Sequence, residues 1–465
     1  MADRPLGAAD VAAADPPRGA ASFLRGSHTD ASITARIADL VLVRPNRPGG
    51  LTAFGIAAAA ALLFVAATIY LIARGVGIWG IDMPIVWGFA ITNYVWWIAN
   101  AMGGTFISAA LLLLRQPWRT SINRLAESLT LFSLSIAGLF PILHLGRPWF
   151  FYWLAPYPGP PPVWPQWRSA LVWDFFAILA YVVFSILFWY VGLLPDFASL
   201  RDRARRRSAQ VLYGLLALGW RGDAVHWQRH ELVSRLLAGL GVPLVFSVHS
   251  MVALDFSEGI TRGWHSTIFG PFFVAGALFS GFAVVLAVAV PLRAFFKLHD
   301  YITALHLDNL AKGLLAAGLI VDYSYAMEIF TSFYSGDRYE IFTTLNRFTG
   351  PYAPVFWSTI ACNVLAIQAL WFRAVRRNAA ALMAVSLCVI VGMWLERFML
   401  IVTSLERTFL PSAWGMFYPT AWDWIHLIGS IGVFMTLLFL FVRLVPVMAI
   451  SELRTLLRRR TREAA

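Results

Sequence analysis

Residues 269–292 read FGPFFVAGALFSGFAVVLAVAVPL, a run of 24 residues without a charged side chain. A helix of this length rises about 36 Å, which is enough to cross a hydrocarbon layer about 30 Å thick. The rest of the 465-residue chain is similar, because 59% of its residues are hydrophobic and only 13% are charged, against about 25% charged in a typical soluble domain. The sequence therefore predicts a polytopic membrane protein and excludes a chain of soluble domains.

Apolar runs bounded by charge, proline and glycine predict an all-α fold with ten transmembrane helices. They lie near residues 51–73, 85–114, 125–143, 169–191, 235–256, 269–292, 310–333, 353–372, 379–402 and 422–445. An even number of spans places both ends of the chain on the same side of the membrane.

The distribution of basic residues predicts which side this is. Of the 37 Lys and Arg residues, 29 lie in the tails and in the segments after helices two, four, six and eight, and 7 lie in the other connections. Basic residues are retained in the cytoplasm, so both termini are predicted to be cytoplasmic. The net charge of +12 is then explained by the membrane topology and by contact of the basic residues with anionic lipids. For this reason we predict no nucleic-acid partner. Residues 1–26 lack an apolar core and are expected to form a disordered tail, not a signal peptide.

A weak internal similarity predicts two related four-helix units. Helices two and six both end in basic residues, and Trp264 after helix five lies 150 residues before Trp414 after helix nine. Helices two to five and six to nine would form two bundles, flanked by helices one and ten. The predicted domains are an N-terminal tail (1–50), helix one (51–84), two bundles (85–257 and 258–402), helix ten (403–445) and a basic tail (446–465).

Several ionisable residues of the first half lie near the outer ends of the spans, where an unneeded charge costs a few kcal/mol. His144 and Arg147 follow the apolar run of helix three, whose last turn Pro141 loosens by removing a backbone donor. Asp174 lies about 9 Å into helix four at about 1.5 Å per residue, a depth that suits proton exchange. Asp255 lies near the outer end of helix five, and we expect it to join His144 and Asp174 in one site.

Further polar residues lie within helices five and seven. His249 is about 120° around the helix from Asp255, so we expect it to face the bundle interior rather than that site. Asp322, Tyr325 and Glu328 recur every three residues along helix seven. This series of acid, phenol and acid fits a proton relay, and it also fits a hydrogen-bonded packing network between helices.

Glu396 and Arg397 are adjacent within helix nine. At least one of them is expected to pair with another helix, since an unpaired charge in a membrane is costly. Asp174, Asp255 and Glu328 are the candidate partners of Arg397, and the sequence does not choose among them. We assign this pair to proton transfer together with the series on helix seven.

The sequence predicts no metal site, iron–sulfur cluster or haem in this chain. Cys362 and Cys388 lie inside apolar runs without a His or Cys at ligand spacing. A bis-histidine haem needs ligands that face each other from different helices. On the outer side, at most one such haem could be built, from His144 with His249 or His426.

Six separated motifs resemble one family in order and spacing. They are HLGRPWFFYW (144–153), LVWD (171–174), WHSTIF (264–269), YAME (325–328), GMWLERF (392–398) and PSAWG (411–415). Over about residues 35–450 the chain resembles the NrfD/polysulfide reductase membrane-subunit family, and within it the quinol-binding membrane subunit of bacterial alternative complex III.

The resemblance implies a haem-free subunit of the bacterial inner membrane that binds menaquinol or ubiquinol near the periplasmic face. It implies quinol-site roles for His144, Asp174 and Asp255, and we place Arg147 beside them. The implied partners are an iron–sulfur/molybdopterin-like periplasmic subunit, multi-haem c-type cytochromes, a second NrfD-like membrane subunit and a terminal oxidase. A secondary transporter and a structural anchor for redox subunits are the alternatives, because intramembrane acids fit them too.

Overall fold

The computed structural model describes residues 23–43, 49–154, 166–264, 266–407 and 410–464. Ten helices in these ranges are long and apolar enough to span a membrane, as the sequence predicts. They are α1 (Gly50–Arg74), α2 (Phe89–Leu113), α3 (Asn123–His144), α4 (Ala170–Arg203), α5 (Ala224–Ser257), α6 (Phe269–Phe295), α7 (Ala304–Tyr334), α8 (Ala353–Trp371), α9 (Ala379–Leu405) and α10 (Ala421–Leu444). Most of the predicted N-terminal tail, most of the Pro-rich loop before α4, and His265 lie outside the described residues.

Several helices extend beyond the apolar runs on the side predicted to be cytoplasmic, which is called the inner side below. α4 continues to Arg203 and α5 begins at Ala224, whereas the apolar runs stop at 191 and resume at 235. Hydropathy marks the part of a helix inside the hydrocarbon, and a helix can continue with charged residues once it has left it. The basic segment between the two spans is therefore largely helical and includes a short helix, Arg207–Leu216.

α2 and α6 form the centre of the molecule, and most residues of both are buried. They cross at Gly103 and Gly281, where a Cβ atom added to Gly103 would lie 2.2 Å from the Cα atom of Gly281. Ser280 donates a hydrogen bond to Asn100 Oδ1 near this crossing. Small residues of this kind let helix backbones approach closely in membranes.

The other helices pack in two groups around this centre. α2, α3, α4 and α5 contact one another, α6 contacts α7 and α9, and α8 contacts α9. α1 and α10 pair with each other, and Gly429 and Gly432 of α10 receive the backbone of α1 near Phe64 and Ala60. This arrangement is compatible with the repeat inferred from the sequence, and the proposed domain boundaries stay a prediction.

A buried ionic network joins the inner ends of α3 and α4, and we did not predict it from the sequence. Arg124 of α3 lies 3.0 Å from Asp196 of α4 and 3.5 Å from Glu127. Arg119 Nη1 lies 2.7 Å from Glu452 in the C-terminal helix Ile450–Ala464. The network therefore holds this helix against the spans. Its sequence signal is a cluster of charges directly beside an apolar run.

Candidate functional site

The outer ends of α2 to α5 meet on one side of the membrane because consecutive spans run in opposite directions. Tyr94 is the sixth residue of α2, Asp174 is the fifth residue of α4, and Asp255 is the third-last residue of α5. At about 1.5 Å per residue, all three side chains lie within about two turns of the outer helix ends. Their similar depth lets residues from three separate helices form one site.

Asp174 is the centre of this site. The hydroxyl of Tyr94 donates a hydrogen bond to Asp174 Oδ2, and the carboxyl groups of Asp174 and Asp255 lie close enough to form a hydrogen bond with each other. Two carboxyl groups can form such a bond only if one of them carries a proton.

Asp174 is enclosed by protein, and the aspartate pair still has free acceptor capacity. Asp174 is only 5% exposed. In the part of the chain that the structure describes, no donor lies against the buried Oδ1 atom of either aspartate. Buried polar atoms are normally satisfied by a partner. A hydroxyl group of a substrate is one donor that fits these two oxygens.

His144 and Arg147 lie apart from the aspartates. His144, the last residue of α3, stacks on Trp79 with 6.1 Å between the ring centroids. Trp79 Nε1 lies 3.3 Å from Nδ1 of His426 in α10. Arg147 is exposed beyond the end of α3. The expected proximity of Asp255 to Asp174 is present, whereas no hydrogen bond or ion pair of His144 with either aspartate is found among the described residues.

A second buried cluster joins α7, α8 and α9. Tyr325 OH donates to Glu396 Oε2 at 2.5 Å, and Asn363 Nδ2 donates to Tyr325 OH at 2.9 Å. Glu396 Oε1 lies 3.0 Å from Arg397 Nη1, so Arg397 pairs with its neighbour in sequence and with none of the three candidate partners named from the sequence. Asn363 was missed because a single amide in an apolar helix carries no distinctive signal.

Arg397 is completely buried between the two helix groups. Its guanidinium lies 4.1 Å from the centroid of the Phe273 ring, a cation–π geometry that stabilises a charge away from water. Gly276 makes room for it, because a Cβ atom there would lie 2.9 Å from Arg397 Nη2. His249 contacts the same Phe273 ring and is fully buried, so it faces the interior as the sequence predicts.

The other two members of the series on α7 have separate partners. Asp322 Oδ2 accepts from Gln368 Nε2 at 3.2 Å. Glu328 accepts from Arg347 Nη1 at 2.8 Å, and Arg347 lies in the helix Arg338–Thr349 outside the spans. Glu328, Arg347 and Tyr325 line one pocket at the outer side. In the described part of the chain, no hydrogen bond therefore links Asp322, Tyr325 and Glu328 to one another, although Tyr325 and Glu328 line the same pocket.

Glu406 ties the outer helix Arg338–Thr349 to the end of α9. Its carboxylate is 1% exposed and accepts from Asn346 Nδ2 at 2.5 Å. Burial raises the pKa of Glu406 above its ordinary value, although the bond from Asn346 and the charge of Arg407 oppose this change. Between the ordinary pKa and the raised one, the folded protein binds more protons than the unfolded chain. The free energy of unfolding therefore falls as pH rises through this interval.

We expect Glu406→Gln to remove this pH dependence, because glutamine stays neutral and its Oε1 still accepts from Asn346. The unfolding midpoint of the variant should exceed that of the wild type by an amount that grows from about pH 4 towards neutrality. Thermal unfolding in detergent at several pH values measures it. Glu258→Gln, at an exposed position near the same side, is the control. Parallel curves for wild type and Glu406→Gln would contradict the assignment.

The fold and these clusters define a class, a multi-pass membrane protein with hydrogen-bonded pairs of tyrosine and carboxylate buried between its spans. In the described ranges, no group of three or more His, Cys, Asp or Glu residues could hold a metal ion. Residues 79–408 match the family described as Polysulphide reductase, NrfD. This match covers more than half of the chain, so the protein belongs to the NrfD family.

A known relative is a protein of Halobacterium salinarum that is named as a membrane subunit of a putative dimethyl sulfoxide reductase. The two sequences are 27% identical over 238 residues, which are 51% of this chain and 50% of the relative. The chain thus matches about half the length of that protein. The resemblance to the NrfD family inferred from the six motifs is confirmed.

Proposed function

We propose that this chain is the quinol-oxidising membrane subunit of a respiratory complex of the alternative complex III kind. The contact of Asp174, Asp255 and Tyr94 at the outer ends of the spans is the observation that carries the proposal. The family and the reductase-subunit name of the relative support a place in an oxidoreductase complex. The excess of basic residues on the inner side supports a bacterial inner-membrane location with both termini in the cytoplasm.

Oxidation of a quinol to a quinone releases two electrons and two protons, so the site needs an acceptor for each hydroxyl proton. The ionised Asp174 takes the first proton, Asp255 releases its own proton to the outer water, and the carboxylate freed in this way takes the second proton. His144 hydrogen-bonds the second quinol oxygen, and Arg147 lies at the entrance. The role of His144 requires the quinol ring to reach from Asp174 in α4 to His144 at the end of α3.

The electrons have to leave the chain, because the site supplies bases for the protons only. An iron–sulfur/molybdopterin-like subunit on the periplasmic side is the proposed acceptor, followed by multi-haem c-type cytochromes. A second NrfD-like membrane subunit and a terminal oxidase complete the proposed complex. Menaquinol and ubiquinol both fit the proposed chemistry, since each presents two hydroxyl groups on an apolar ring.

Purification of the complex in mild detergent, with quinone extraction and mass spectrometry of the bound subunits, tests this proposal. We expect quinone to co-purify with iron–sulfur and c-type haem proteins. We also expect Asp255→Asn to weaken binding of a quinol analogue at least tenfold, whereas the exposed control Asp202→Asn leaves it unchanged. If the intact chain purifies without quinone or redox partners and drives substrate flux in vesicles, the result would favour a transporter. Redox partners without quinone binding would favour a structural anchor.

We also propose a proton path that includes Tyr325, Glu396 and Arg397 of the second cluster. Three neighbouring residues take part in it as well, namely His249, Asp322 and Glu328. The bond from Tyr325 to Glu396 favours this function, because a phenol between a carboxylate and a pocket can pass a proton in either direction. The pocket that Tyr325 shares with Glu328 gives the relay an end at the outer side.

We expect Tyr325→Phe to lower the number of protons moved per electron while quinol oxidation continues, because the phenol links Glu396 to the pocket. The complex in proteoliposomes with a pH-sensitive dye measures this ratio. Tyr323→Phe is the matched control, since Tyr323 is 61% exposed and lies outside the cluster. An unchanged ratio in both Tyr325→Phe and Glu396→Gln would refute the relay.

A further inference from the structure

The short helix Arg207–Leu216 lies at the inner boundary of the membrane. Tyr190 of α4 donates to the carbonyl oxygen of Leu216, and Phe197 of α4 stacks on Tyr213. These two α4 residues lie about 30 and about 40 Å along the helix from its outer end, at about 1.5 Å per residue. Since the hydrocarbon core is about 30 Å thick, the short helix is level with the inner headgroups.

α10 places the helix at the same depth independently of α4. The hydroxyl of Tyr213 donates to the carbonyl oxygen of Leu444, the last residue of α10. That carbonyl lies about 35 Å from the outer end of α10. Two spans that do not follow each other in sequence therefore agree on this position.

The helix has one face on the protein and one apolar face that no described residue covers. Tyr213 and Ala217 are buried against the spans. On the other face four aliphatic side chains are between 48% and 70% exposed, namely Val211, Leu212, Leu215 and Leu218. Val211, Leu212 and Leu215 lie on one side of the helix, and Leu218 follows two residues after its end. Four large aliphatic side chains at headgroup depth fit the acyl chains of a lipid leaflet better than water.

Three consecutive arginines, Arg205, Arg206 and Arg207, lie at the N-terminal end of this helix and are exposed. None of them forms an ion pair within the described part of the chain. The N-terminus of a helix carries partial positive charge, so three cations there repel it and one another. An external anion would stabilise this arrangement. The inner leaflet supplies such anions as phospholipid headgroups.

We propose that residues 205–218 form a lateral lipid anchor. The aliphatic face embeds in the inner leaflet, and Arg205–Arg207 bind the phosphate groups of anionic phospholipids. This proposal does not depend on quinol oxidation. It gives the long basic connection between α4 and α5 a function of its own.

Thermal unfolding of the full chain in detergent tests the anchor when phosphatidylglycerol or phosphatidylcholine is added. We expect phosphatidylglycerol to raise the unfolding midpoint of the wild type by several degrees more than phosphatidylcholine does. Arg206→Gln/Arg207→Gln should lose at least half of this difference. The control Arg459→Gln/Arg462→Gln removes the same charge from exposed positions of the C-terminal helix and should keep it. Equal loss in both variants, or loss in neither, would overturn the proposal.

A second measurement separates lipid from a protein partner as the occupant of the aliphatic face. We expect amide hydrogen exchange of residues 207–218 to slow when the purified chain moves from detergent into vesicles that contain phosphatidylglycerol. Leu212→Gln/Leu215→Gln should abolish this protection and leave exchange in the ten spans unchanged. Protection that appears only in the complete complex, and not in vesicles, would show a protein partner and overturn the lipid assignment.

Discussion

Asp174→Asn is expected to lower quinol oxidation by the assembled complex at least about 100-fold, the usual contribution of a general base. The asparagine keeps the size of the side chain and can still accept from Tyr94, so the helices should pack as before. It cannot take a proton from the substrate. Steady-state turnover with a water-soluble quinol analogue measures the loss, and co-purification of the partner subunits shows that assembly is intact.

The matched variants make this result specific. Asp202→Asn changes the same residue type at an exposed inner position and should leave turnover unchanged. Tyr94→Phe removes the hydrogen bond to Asp174 and should lower turnover less than Asp174→Asn, because the base itself remains. Full turnover in assembled Asp174→Asn would refute the proposed base. A loss in Asp255→Asn alone would exchange the roles of the two aspartates.

Gly281→Ala is expected to destabilise the whole membrane domain by about 1–3 kcal/mol or more, as overpacking of a tight core does. A Cβ atom at position 281 would lie 2.2 Å from the Cα atom of Gly103. The obstacle is backbone, which cannot rotate away as a side chain does, so α2 and α6 would have to separate. The unfolding midpoint in detergent and the yield of folded protein report the change.

Gly239→Ala is the matched control for this substitution. Gly239 lies in α5, and a Cβ atom added there meets nothing within 4 Å. Alanine should therefore be neutral or stabilise by about 0.4–1 kcal/mol, because it restricts the unfolded chain. Equal unfolding midpoints for the two variants would contradict the view that the backbones of α2 and α6 are in close contact at their crossing.

The contact of Asp174 with Asp255 was predictable because depth along a helix follows from residue number. Both aspartates lie a turn or two inside the outer ends of their spans, so antiparallel neighbours bring them to one level. The burial of His249 followed from its angle around α5 relative to Asp255. The partners of Glu328 and Arg397 were not predictable in this way. Arg347 reaches Glu328 from a helix outside the spans, and Arg397 pairs with the adjacent Glu396.

Sequence alone determined the number of spans, their order and the depth of the ionisable residues, because hydrophobicity and helix rise are local properties. The tertiary structure decided which side chains meet, as in the stacking of His144 on Trp79 and the bond from Tyr325 to Glu396. Partner choice depends on the rotation of each helix about its axis, and one residue turns a helix by about 100°. A span that is apolar on all sides carries no local signal for this rotation. It is settled only by close packing, as at Gly103 and Gly281.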